Sequence, residues 1–96
     1  MIDLPYGGKF DEKALVEYIR KSGRNYIIQG QQSLSYANHS KPHSLDYWLR
    51  QFALNPNTKQ ADNNVLIALV DTGLFRISDS LECPDTGRQC KGLCLV

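Results

Sequence analysis

Apolar residues recur along this chain in two rhythms. Between Asp11 and Gly23, Ala14, Leu15, Tyr18 and Ile19 fall three and four positions apart, the stripe of a helix that buries one face. Asp11 stands where an N-cap belongs, Phe10 and Leu15 have the spacing of a hydrophobic staple, and Gly23 is a stop signal. A second stripe, Leu45, Trp48, Leu49 and Phe52, opens at Ser44 and closes before Asn55-Pro56, predicting another core-facing helix. A third follows Thr58 or Asp62 as cap. There Ala61, Val65, Ala68, Leu69 and Thr72 share a face and Leu66, Ile67 and Val70 widen it, so burial is expected beyond the first turn.

The rhythm then changes to alternation. Tyr26-Ile27-Ile28, bounded by Gly30, reads as one brief strand. After Gly73, Phe75, Ile77 and Leu81 alternate on one strand and Leu93 and Leu95 on another, separated by the turn sequence Pro84-Asp85-Thr86-Gly87-Arg88. A hairpin with one face on the helices is expected. Gln31 to Pro42 is polar and reads as a loop. Gly7-Gly8 marks residues 1–9 as a flexible lead-in to a single domain over residues 10–96. The expected fold class is α+β, three helices with a short strand and a C-terminal hairpin.

Composition narrows the function classes only a little. The 96 residues are enough for one core, and 42% hydrophobic with 22% charged residues is ordinary for a globular domain. Val65 to Val70 is far too short to span a bilayer, and the first residues lack the basic flank and apolar run of a signal peptide, so a cytoplasmic location without membrane association is expected. The net charge of +1 is low for a nucleic-acid binder. It conceals an asymmetry, because residues 20–60 hold six Lys or Arg against Asp46 alone, while both ends are acidic on balance. That middle can form a positive face, or its charges can scatter over a solvated surface.

The order helix, short strand, helix, Asn-Pro-Asn turn, helix closing on Asp71-Thr72-Gly73-Leu74-Phe75, then hairpin resembles the winged helix-turn-helix superfamily of DNA-binding domains. The resemblance covers most of residues 10–96, although the loop from Gln31 to Ser44 is longer than the compact family pattern. It implies that the third helix is the recognition helix, with Thr58, Lys59, Gln60, Asn63 and Asn64 on its leading edge, where amides pair with adenine and a lysine reaches guanine or phosphate. It implies a wing carrying Arg88 and Lys91, and phosphate contacts from Lys41, Ser44, Tyr47 and Arg50 around the second helix. Asn, Thr and Asp are also ordinary caps and surface groups. Double-stranded DNA is therefore the expected partner, in a regulator or as the reading module of a larger nucleic-acid enzyme. The alternative is a winged helix that binds another protein and no DNA.

Cys83, Cys90 and Cys94 are an odd set in a short chain, which speaks against a secreted disulfide framework. Three readings stay open: small buried thiols along the hairpin, a Cys83–Cys90 disulfide, or a zinc site, for which the spacing is unusual and only His39 and His43 remain as further ligands. No nucleophile elbow, paired carboxylates or phosphate-cradling glycine loop is present, so no catalysis and no cofactor are expected. Trp48 is assigned to the core. Tyr6, Tyr18, Tyr26, Tyr36 and Tyr47 look too dispersed to form a stacking platform.

Overall fold

The computed structural model describes residues 1–30, 41–56 and 61–96. Over these residues it is a small α+β domain of three helices and two antiparallel sheets. The elements run β1 (Ile2–Asp3), β2 (Lys9–Phe10), α1 (Glu12–Lys21), β3 (Tyr26–Ile28), α2 (Leu45–Phe52), α3 (Asn63–Val70), β4 (Phe75–Glu82) and β5 (Gln89–Leu95).

The first helix forms as its local code requires. Asp11 keeps an extended backbone, and its carboxylate accepts from the Lys13 and Ala14 amides at 3.1 Å, satisfying two donors the helix cannot. Phe10 and Leu15 are both buried, Ile19 continues the stripe one turn on, and the Ser22 amide closes the end on Tyr18 and Ile19. The second helix buries Leu45 and Leu49 on its inner side. The third is shorter and less enclosed than its apolar sequence suggests. Asp62 caps it by accepting from the Val65 amide at 3.0 Å, Val65, Leu66 and Leu69 face inward, and Ile67 stands 51% exposed. An eight-residue helix turns one flank to the core whatever its outer flank carries.

Strand order in the larger sheet is β3-β5-β4, with Ile27 opposite Leu93 and Phe75 opposite Leu95. The last strand thus lies in the centre, joined on one side to its hairpin partner and on the other to a strand more than sixty residues earlier. Ile27, Phe75 and Leu93 meet Leu15, Ile19, Leu45, Leu49, Leu66 and Leu69 in the main core. Each such side chain contributes about 1.5–3 kcal/mol through removal from water.

Two expectations are corrected. Residues 1–9 are an ordered hairpin, with Ile2 opposite Phe10, Asp3 opposite Lys9, and Leu4 buried. Gly7 and Gly8 both adopt positive φ, giving a tight turn, and a Cβ on Gly8 would strike the Leu54 carbonyl. Lys9 exchanges backbone hydrogen bonds with Leu54 at 2.8 and 2.9 Å, so this hairpin clamps the exit of α2. Second, the ladder slips between Ser78 and Leu81, leaving Asp79 and Ser80 in a bulge. Phe75 and Ile77 follow one parity, but after the bulge Leu81 points to the opposite face. There it joins Ile28, Cys83 and Cys94 in a second apolar cluster, with Tyr26 and Cys90 at its margin.

Candidate nucleic-acid interface

The start of α3 and the second hairpin strand meet. Lys91 donates from Nζ to Asn63 Oδ1 at 3.1 Å, and Gln29, buried at the end of β3, donates from Nε2 to the Ala61 carbonyl and, at 3.5 Å, to the same Asn63 oxygen. The backbone repeats the connection, since the Gln29 amide donates to the Lys91 carbonyl at 2.8 Å. Asn64 Nδ2 donates to the Tyr6 hydroxyl, bringing the N-terminal hairpin to the same edge. Asn63, Asn64, Lys91 and Tyr6 therefore form one polar surface from three distant segments. Tyr6 carried no signal in the sequence, because its neighbourhood depends on a hairpin held by backbone geometry.

The outer side of α3 continues from Asn63 and Asn64 to Ile67 and Asp71, all exposed, and the helix contains no Lys or Arg. Thr58, Lys59 and Gln60 lie outside the described residues. Arg88 is exposed at the hairpin tip, where its amide donates to Thr86 Oγ1.

The four residues assigned to phosphate contacts do not gather at this edge. Ser44 is fully buried, its hydroxyl pressed against Gly30, so it is no surface contact; the expectation is corrected by close packing. Arg50 donates from Nε to Asp46 Oδ2 at 2.8 Å and keeps 39% of its side chain exposed. Asp46 is wholly enclosed, and its other oxygen accepts from the Ala61 amide at 3.1 Å, which ties α2 to the lead-in of α3. Lys41 reaches Asp85 on the hairpin tip at 2.8 Å, and that hydrogen bond holds the Asp85 carboxyl below the usual carboxylate range. His43 lies 3.8 Å from the same carboxylate. Burial pushes its pKa down, Asp85 opposes the shift, and Lys41 and Arg24 reinforce it.

Tyr47 belongs to a different surface. Its ring meets Phe52 edge-on at 6.3 Å, Phe52 lies 4.8 Å from Trp48, and Trp48 lies 5.2 Å from Tyr18 on α1. Tyr18 and Tyr47, far apart in the sequence, are thus brought into one aromatic row by the α1–α2 contact. Trp48 is only half-buried, and its indole N–H donates to the Pro42 carbonyl at 2.8 Å.

The cysteines do not converge on one point. Cys90 and Cys94 share a strand face but are four residues apart on an extended chain, about 13 Å between Cα atoms. A tetrahedral zinc with sulfur ligands at about 2.3 Å cannot span that distance from one strand. Among the described residues, no group of three or more His, Cys, Asp or Glu side chains is placed to hold a metal ion. No helix among them is long and apolar enough to cross a membrane. Compared with known proteins, the chain matches no family model, no curated protein and no solved structure.

Proposed function

We propose that this chain is a winged-helix domain that binds double-stranded DNA through the start of α3 and the β4–β5 hairpin. The observation that carries the reading is the Lys91–Asn63 contact, which joins an amide suited to a base edge with a cation suited to a phosphate on one surface. Element order supports it: helix, strand, helix, helix, hairpin, with the returning strand between the other two, braces the hairpin beside α3. Asn63 and Asn64 are exposed and exchange their present partners for base edges without unfolding anything. Among the described residues, Lys91 stands at this edge and Arg88 at the tip of the same hairpin, so on this reading few counterions are displaced and affinity is modest.

Anisotropy of a labelled mixed-sequence duplex tests this. The logarithm of affinity should fall with the logarithm of salt at a slope of about −2 to −3, as two or three neutralised phosphates require. Lys91→Ala should flatten the slope by about one, and Asn63→Ala should weaken binding without changing it. Absence of binding at tens of micromolar protein in low salt refutes the proposal.

One observation favours a second reading, protein association. Ile67 stands half-exposed between Asn64 and Asp71 on a helix without cations, an apolar centre with a polar rim. On that reading Ile67→Glu abolishes partner capture while Lys91→Ala leaves it intact.

A further inference from the structure

Cys83 and Cys90 bracket the hairpin tip on the face turned away from the helices. Leu81 pairs with Cys90 and Glu82 with Gln89, and the Cys83 amide donates to the Arg88 carbonyl at 2.9 Å, so the two cysteines are diagonal neighbours on one face of the ladder. Both belong to the same apolar cluster, Cys83 at 1% exposure and Cys90 at its half-open margin. Their side chains are within hydrogen-bonding reach of each other. Diagonal partners stand about 7–8 Å apart at Cα, just beyond the span of an unstrained disulfide, so closing the bond requires the backbone at the hairpin tip to draw the two strands together.

The two sulfurs are differently prepared. Cys83 is surrounded by donors, the Thr86 hydroxyl and the Asp85 and Thr86 amides, all within the turn. Burial pushes its thiol up, but these donors outweigh burial and hold it below its ordinary value. Burial pushes Cys90 up, and the neighbouring Cys83 adds to that. Cys90 has the access that the first attack needs, and Cys83 is the more readily ionised of the two, as the resolving thiol should be. Cys94 is buried further along the strand, beyond bonding distance of Cys90.

We propose that Cys83 and Cys90 are an oxidisable dithiol that forms an intramolecular disulfide with a small-molecule disulfide such as oxidised glutathione, leaving Cys94 reduced. In the first step the Cys90 thiolate attacks the glutathione disulfide, forming a mixed disulfide and releasing one glutathione thiolate. In the second, the Cys83 thiolate attacks the Cys90 sulfur, the protein S–S bond forms and the second glutathione thiolate leaves. Each cysteine loses one proton, the two glutathione thiolates take them up, and the two electrons pass to the glutathione pair. The product is a covalent ring around the turn that carries Asp85 and Arg88.

The test equilibrates the purified full chain with glutathione buffers of graded redox poise, quenches with acid and measures intact mass and tryptic peptides. The expected result is a closed species lacking two hydrogens, with the Cys83 and Cys90 peptides still joined after cleavage at Arg88 and Cys94 alkylated. In Cys83→Ser the reaction stops at one glutathione adduct on Cys90, and Cys94→Ser closes like the wild type. Should Cys83→Ser fail to fold, Cys90→Ser serves in its place and should yield no ring. A bond that includes Cys94, stable glutathione adducts without closure in the wild type, intermolecular dimers, or three thiols inert across the whole series would each overturn the proposal.

Discussion

Asp46 joins two helices through one carboxylate, and replacing it with alanine exposes what that junction is worth. The side chain is fully enclosed, with one oxygen accepting from the buried Ala61 amide at 3.1 Å and the other from Arg50 Nε at 2.8 Å. Asp46→Ala leaves the Ala61 amide without an acceptor, a loss of about 1–3 kcal/mol for a buried donor. Arg50 is 39% exposed and regains water, so its side adds under about 1 kcal/mol. The carboxylate also faces the first turn of α2, where it contributes roughly 0.3–1 kcal/mol against the helix dipole. Relief of the desolvated charge offsets part of the total. The net expectation is about 2–4 kcal/mol, whereas Asp46→Asn, which can still accept from Ala61, should cost about half as much. Urea unfolding followed by Trp48 fluorescence measures this, and with a slope of about 1–1.5 kcal/mol/M the alanine variant's midpoint drops by about 2 M. A loss below about 1 kcal/mol for alanine, or equal losses for alanine and asparagine, would refute the account. A double cycle with Arg50→Ala isolates the ion pair, and its coupling should stay under about 1 kcal/mol.

Other variants probe the remaining junctions. Leu4→Ala removes a buried anchor of the N-terminal hairpin and should cost about 2–4 kcal/mol in the same urea assay; an effect under about 0.5 kcal/mol would mean the hairpin does not clamp the α2 exit. Gly30→Ala places a Cβ on Ser44 at a positive φ and should destabilise by more than about 2 kcal/mol, with Ser44→Gly in the same chain recovering part of the loss. Burial holds the His43 imidazole below its ordinary value of 6.5 in the fold, so as pH falls the unfolded chain takes up this proton before the folded one. Stability is complete above about pH 6.5 and declines as pH falls below it, while Asp85 stays ionised with its pKa held under 3.8. His43→Gln should remove that decline in thermal melts between pH 7 and 5, and an unchanged profile would show that another group titrates.

Much of the architecture could be read from local sequence. Asp11 with the Phe10–Leu15 staple, the Leu45–Leu49 stripe and the short Tyr26–Ile28 strand depend on neighbours within one or two turns, and their physics is complete at that range. The hairpin was legible too, because Pro-Asp-Thr-Gly between β-prone runs has few alternatives. The face of Leu81 is not legible in the sequence, because a bulge inverts side-chain parity and Ser78-Asp79-Ser80 carries no strong sign of one.

The local code determined where helices and strands begin and which of their faces are apolar. Tertiary structure decided which segments meet, because pairings such as Asn63 with Lys91, Asn64 with Tyr6 and Asp46 with Ala61 gain nothing until distant chain ends are brought together. It ordered the first nine residues, since a two-residue strand is stable only against a partner and here also against Leu54. It also set the three cysteines apart, two within reach across a turn and one beyond it, because an extended strand advances about 3.3 Å per residue whatever its side chains could otherwise bind.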